Sequence, residues 1–222
     1  MPYTKRLLCL AASRKHHGYC VAGKDVNSGE WVRPISARPG HEISYVERLT
    51  AEGHRCDLLD VIDVSLTQGV PTAFQVENHL NNQAVRWQLA GTGTYDQAAA
   101  MLDPEQHLWL NGHSSYNGLN DQVPEADATE MTDSLRLIRV PSLTLLVHSE
   151  GGVFAPAKRV VRAQFELLGE TYWLKLTDPA LENELRGQGD GAYEYENAIM
   201  CISLGETFNG YAYKLVASVI VE

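Results

Sequence analysis

Apolar positions in this chain come in short alternating runs separated by glycine, proline and polar clusters, which is the pattern of strands joined by turns. In the run from Lys5 to Ala12, Leu7, Cys9 and Ala11 alternate with Leu8, Leu10 and Ala12. Both faces are therefore apolar, and the run predicts a central strand covered on each side. Ser13 to Gly18 is polar and cationic and predicts a connecting loop, after which Tyr19 to Ala22 forms a second strand. A turn at Asn27, Ser28 and Gly29 leads to a third strand, Glu30 to Arg33, stopped by Pro34. The result is a three-stranded meander, the way a small five-stranded Greek-key barrel of the OB type begins.

Further along, LLDVIDVSL from Leu58 to Leu66 places Leu58, Asp60, Ile62 and Val64 on one face, with Leu59, Val61 and Asp63 on the other. This strand is expected to close the early sheet. Pro71 to Leu89 is mixed and polar, with no clear period. Thr94 to Leu102 has the form of a short helix, with Thr94 as N-cap, Asp96 in the first turn and an alanine run before Pro104. Asn111 to Asp133 shifts to Asn, Ser, Gly, Asp and Glu, so residues 112–133 are expected to be a linker or long surface loop between domains 1–111 and 134–222.

Strand patterns then resume at Leu135–Val140, Leu143–His148, Arg159–Leu167, Thr171–Thr177, Ala198–Leu204 and Tyr211–Val221. Between the fourth and fifth of these lies DPALENELRG, a helix with Asp178 as cap, Pro179 at its first position and Gly187 just past its end. A helix there matches the one often found between strands 3 and 4 of an OB barrel. The expected fold is mainly β, two consecutive strand-rich halves, each able to form a small barrel, with short helical insertions.

Charge narrows the choice of ligand. The formal net charge of −10 argues against coating duplex DNA through an overall positive field. Locally the balance reverses: Lys5 to Ser44 carries seven lysines and arginines against three acidic residues, leaving −14 for the rest of the chain. Cys9, Cys20, Cys56 and Cys201 are scattered, with no CxxC pair, and read as buried reduced thiols of a cytoplasmic protein. Zinc held by Cys9 or Cys20 with His16 or His17 lacks a recognised spacing, so no metal and no cofactor is expected. No apolar run approaches the roughly 20 residues of a membrane span.

The segments KRLLCLAASRKHHGYCVAGKD, GEWVRPIS, LLDVIDV, YWLKLTDP, CISLGETF and YKLVASVI together resemble the bacterial dual OB-domain family over nearly the whole chain. The resemblance implies two consecutive OB-type barrels and a role in nucleic-acid binding, with no established reaction and no catalytic residues to carry over.

The residues themselves suggest phosphate and base contact. Arg14 and Lys15 sit in the first loop, Lys24 ends the second strand, Arg33 and Arg38 flank Pro34, and Trp31 offers a flat face on the parity of Arg33. Single-strand binders combine cations for the backbone with aromatics for the bases. Each residue also has a structural alternative: Trp31 as core, Arg33 and Arg38 in internal ion pairs, Arg14 and Lys15 on a solvated turn. The leading expectation is a non-enzymatic module that binds single-stranded DNA or RNA, or a nucleotide-like ligand, through Arg14, Lys15, Lys24, Trp31, Arg33 and Arg38. The alternatives are an adaptor whose acidic C-terminal half docks a basic protein, and a small-molecule enzyme using His16, His17 and Cys20. The carboxylates of GAYEYEN, Glu194 and Glu196, read more simply as part of an edge strand.

Overall fold

The computed structural model describes residues 1–15, 18–151 and 156–222, and among them the chain is mostly β. It forms two compact units. The first comprises Met1–Leu102 with Thr132–Ser134, and the second Asp103–Met131 with Leu135–Glu222.

The first unit begins with β1 (Tyr3–Lys15), β2 (Gly18–Asp25) and β3 (Trp31–Ile35) as an antiparallel meander. It continues with β4 (Asp60–Gly69) and β5 (Asn78–Asn81). β1 pairs with both β2 and β4, β4 with β5, and β5 runs parallel to β3, so the five strands close in the order 1-2-3-5-4. That closure, with its single parallel seam, is the OB barrel. β6 (Gln88–Thr92) adds an outer strand beside β4, and α1 (Tyr95–Ala99) follows, capped by Thr94 through a capping box with Gln97.

Three sequence expectations change in this unit. β1 runs on to Lys15, so Arg14 and Lys15 lie on a strand and not in a loop. Pro34 does not end β3: β2 pairs only with Trp31 and Val32, so the N–H that proline lacks falls beyond the β2 ladder. The unplaced polar stretch 71–89 supplies β5, the strand that closes the barrel.

Inside, Leu7, Val21, Val32, Ile62, Val64 and Trp87 form the core, with the Trp87 indole N–H donating to Asn81 Oδ1 at 2.9 Å. β1 bulges between Cys9 and Ala11 where β2 crosses it. At that crossing a Cβ on Gly23 would lie 2.2 Å from the Leu8 carbonyl oxygen, so only glycine allows the approach.

The second unit repeats the plan with β8 (Leu135–Glu150), β9 (Lys158–Leu167), β10 (Glu170–Leu176), β11 (Gly191–Leu204) and β12 (Tyr211–Ile220). These close through β8–β9, β9–β10, β10–β12, β12–β11 and β11–β8, again with one parallel seam, β10–β12. α3 (Pro179–Gln188) stands between the third and fourth strands, where Asp178 accepts hydrogen bonds from the Ala180 and Leu181 amides. The helix runs through Gly187, and Gly189 is its C-cap.

The two strand patterns around Pro141 are one long strand, β8. Pro141 falls between the Val140–Ala198 and Ser142–Glu196 pairs, opposite Asn197, whose positive φ of 52° marks a local irregularity that spares the ladder. The core of this barrel includes Leu143, Leu145, Phe165, Tyr172, Leu174 and Val216, with Phe165 and Tyr172 stacked at 5.3 Å between ring centroids.

Residues 112–133, expected as linker or loop, hold two ordered elements, β7 (Gln122–Pro124) and α2 (Glu125–Ala128). The parallel β10–β12 seam is only two residue pairs long, and this segment lengthens it. Leu119 exchanges two backbone hydrogen bonds with Trp173 of β10, and β7 then pairs with β12.

Candidate functional site

The six sequence-predicted residues do not converge on one groove. Lys24 and Trp31 are cross-strand partners on the outer side of β2–β3, with Lys24 Nζ 5.3 Å from the Trp31 ring centroid. Lys24 is nevertheless buried, because its ammonium donates to the Met101 carbonyl at 2.7 Å. Trp31 is half-buried and lies outside the barrel core, whose β3 representative is Val32. Arg33 is 3% exposed. Its guanidinium pairs with Glu77 at 2.8 Å and donates to Ser134 Oγ at 2.9 Å, while the Ser134 hydroxyl donates to the same carboxylate. Arg33 thus belongs to a buried network, the internal ion pair that was one of its two expected fates.

The remaining three residues lie toward one end of the first barrel. Arg14 and Lys15 occupy the β1 end of the β1–β2 hairpin, where Lys15 pairs with Gly18. The loop after β3 folds back onto that end: Tyr19 and Ile43 exchange two backbone hydrogen bonds, and the Glu42 side chain packs so closely on Gly18 that a Cβ there would lie 2.6 Å from Glu42 Cγ. Arg38 belongs to this loop and donates to the Glu42 carbonyl at 2.8 Å while pairing with Glu47 at 3.2 Å. Arg14 and Arg38 are exposed and Lys15 is half-buried.

Residues beyond the sequence-predicted set join them. Arg48 lies 4.1 Å from the Tyr19 ring centroid and donates to the Cys56 carbonyl, which rigidifies the loop. Arg55 and Arg86 are exposed, and Arg86 donates to the Val46 carbonyl beside Tyr45, which is 56% exposed. Glu47, which anchors the loop's start, is pushed up by burial but pulled further down by hydrogen bonds from the Ser44 amide and the Ser44 and Ser36 hydroxyls, and ends below the ordinary glutamate range. It stays ionised and holds the turn. The loop therefore presents cations and an aromatic ring from a fixed backbone. No sequence signal linked Arg55, Arg86 and Tyr45 to the β1–β2 hairpin, because the loop reaches it through the Tyr19–Ile43 bridge and Arg86 reaches the loop through the Val46 carbonyl, both long-range contacts.

The family model for a dual OB-containing domain matches residues 5–219. The chain belongs to the dual OB-containing domain family. No curated protein and no solved structure matches it significantly. Membership agrees with the two barrels described above and points to an OB-fold binding module.

Other chemistry proposed from sequence gains no geometry. His16 and His17 lie outside the described residues, so neither the zinc site nor a base beside Cys20 can be placed. Among the described residues no cysteine forms a disulfide; Cys9, Cys56 and Cys201 are buried and Cys20 is half-buried. The hydrogen-bonded neighbour Cys9 and burial push the Cys56 thiol well above the ordinary range, the opposite of what activates a nucleophile. Among the described residues no group of three metal-ligating side chains occurs, and no helix is long and apolar enough to cross a membrane.

Proposed function

We infer that this dual OB protein binds single-stranded nucleic acid, or a nucleotide-like ligand, at the end of the first barrel where the β1–β2 hairpin meets the loop after β3. Arg14, Lys15 and Arg38 contact phosphates there, joined by Arg55 and Arg86, and Tyr45 supplies the stacking face. Lys24 and Arg33 act from beneath, holding the β2–β3 side in shape, and Trp31 is a second, half-buried stacking surface farther along that side.

The observation that carries this reading is the Tyr19–Ile43 bridge, which brings a cationic hairpin and a cationic loop with an exposed tyrosine to the same place. The charge balance supports it. The first unit carries 10 lysines and arginines against 11 acidic residues, the second 8 against 17, so a polyanion meets far less repulsion at the first.

Fluorescence anisotropy with 12-nucleotide DNA and RNA strands tests the assignment. Tyr45→Ala is expected to remove about 1–3 kcal/mol of binding, the range for one stacked base. Arg14→Ala with Lys15→Ala is expected to weaken DNA and RNA alike, since phosphate contacts do not read sequence. Undiminished binding by both variants would place the ligand elsewhere.

A further inference from the structure

The outer face of the second barrel is chemically unlike the first. Across β10, β9, β8 and β11, Trp173 pairs with Gln164, Gln164 with Thr144 and Thr144 with Glu194, giving one continuous row of outward side chains. The residues flanking this row in sequence, Tyr172, Leu174, Phe165, Leu143 and Leu145, all point into the core. The backbone bridge from Leu119 to Trp173 extends the row at its β10 end.

That end is apolar, with Leu119 39% and Trp173 38% exposed. The other end is acidic. There Glu194 and Glu196 are exposed on β11, while Glu166 of β9, opposite Thr171, is exposed on the same face but only one strand from Trp173. Among the described residues none of these three carboxylates takes part in an ion pair. The cations nearby do not neutralise them. Arg162 is buried and bound by Glu150, with Nη1 3.9 Å from Asp121; exposed Lys175 stands on the strand of Trp173, far from Glu194 and Glu196, and exposed Arg139 of β8, opposite Ile199, forms no ion pair with them among the described residues.

We propose that this face docks an extended, basic segment of a partner protein, with an apolar residue over Leu119 and Trp173 and lysines or arginines against Glu194 and Glu196, Glu166 adding to the negative charge of the face between them. The charge of the face decides the occupant. Three unpaired carboxylates in a unit with more than twice as many acidic as basic residues repel phosphates and attract cations. Lys175 beside Trp173 sets the polarity, turning the partner's cations toward β11. From β10 to β11 is three inter-strand steps, about 14 Å, or roughly four residues of extended chain at about 3.3 Å each. The partner therefore presents its apolar anchor and its first cation about four residues apart. This site is separate from the proposed nucleic-acid site and does not depend on it.

The test uses the full chain and a fluorescein-labelled 12-residue peptide with a leucine followed, four residues on, by four arginines. A matched peptide with glutamates in place of the arginines is the control. Binding by anisotropy is expected for the arginine peptide alone. Glu194→Gln with Glu196→Gln should weaken it tenfold or more, and Trp173→Ala fivefold or more. Glu105→Gln with Glu130→Gln, which removes as much charge from elsewhere in the same unit, should change it less than twofold, and so should Arg14→Ala with Lys15→Ala. Unchanged thermal melting of these surface variants confirms that each is folded.

Equal weakening by the Glu105 and Glu130 pair would reduce the effect to diffuse charge and overturn the site. Failure of the arginine peptide to bind would do the same. Loss of 12-nucleotide DNA binding on Trp173→Ala would give the face to nucleic acid instead, and loss of a concentration-dependent dimer in sedimentation would give it to a second copy of the chain.

Discussion

Lys214 of β12 is 1% exposed and sits at the end of the second barrel, 5.3 Å from the Tyr172 ring centroid. Its Nζ donates to the Leu110 carbonyl at 2.7 Å and to Asn111 Oδ1 at 2.9 Å. Two acceptors satisfy a neutral amine, whereas the third proton of an ammonium would add a charge with little solvent to stabilise it. Burial accordingly lowers Lys214 from 10.5 to about 7, with the charge of Asp121 opposing the shift in part. Since the folded value is the lower one, the unfolded chain binds the extra proton between these limits, and stability must fall as pH drops from the ordinary lysine range toward 7. Below that the amine is charged in both states and its contribution levels off.

Integrated from pH 7 to pH 8.5, the gain in stability is about 1.5 kcal/mol, out of about 5 kcal/mol for the whole interval. Urea unfolding under reducing conditions at four pH values across that window, for the wild type and Lys214→Met, measures it. Thiols of the unfolded chain begin to ionise near the upper limit, but they do so in both proteins and cancel in the difference. The wild type should gain on the variant by about 1.5 kcal/mol as pH rises. Parallel profiles would show that Lys214 keeps its ordinary protonation when buried and would refute the reasoning.

Glu77→Ala should cost about 3–5 kcal/mol in urea unfolding, because it leaves the buried Arg33 charge without its carboxylate; a loss under 1 kcal/mol would mean that Arg33 finds water or another partner. Replacing both residues, as Arg33→Met with Glu77→Leu, should recover most of that loss, since a buried pair and a well-packed apolar pair are often of similar stability. Gly23→Ala should lower stability by about 1–3 kcal/mol through the clash with the Leu8 carbonyl, read as a shift in thermal midpoint.

Strand periodicity was enough to read most strands of both halves, because Ile62 and Val64 in the first, and Leu143, Leu174 and Val216 in the second, alternate with outward neighbours, and the family resemblance narrowed them to OB barrels. The strand that escaped, β5, has the sequence Asn-His-Leu-Asn. Both of its asparagines are buried, Asn81 accepting from the Trp87 indole, and buried polar residues carry no hydrophobic period. Lys24 and Arg33 looked like ligand contacts for a related reason. The groups that draw them inward, the Met101 carbonyl and the Glu77 carboxylate, are 77 and 44 positions away and leave no local trace. Trp173 was different. Tyr172, Leu174 and Leu176 already mark the inward parity of TYWLKL, so the exposure of Trp173 and Lys175 was legible from the sequence.

Salt dependence of single-strand binding tests the central functional reading most directly. With a 12-nucleotide strand and the wild-type chain, log K should fall linearly as log salt rises, with a slope of roughly −2 to −3.5 for three to five phosphate contacts at about −0.7 each. The slope should flatten by about 1.4 in the Arg14→Ala, Lys15→Ala variant. Absence of binding at low salt, or a slope unchanged by that double substitution, would contradict the account.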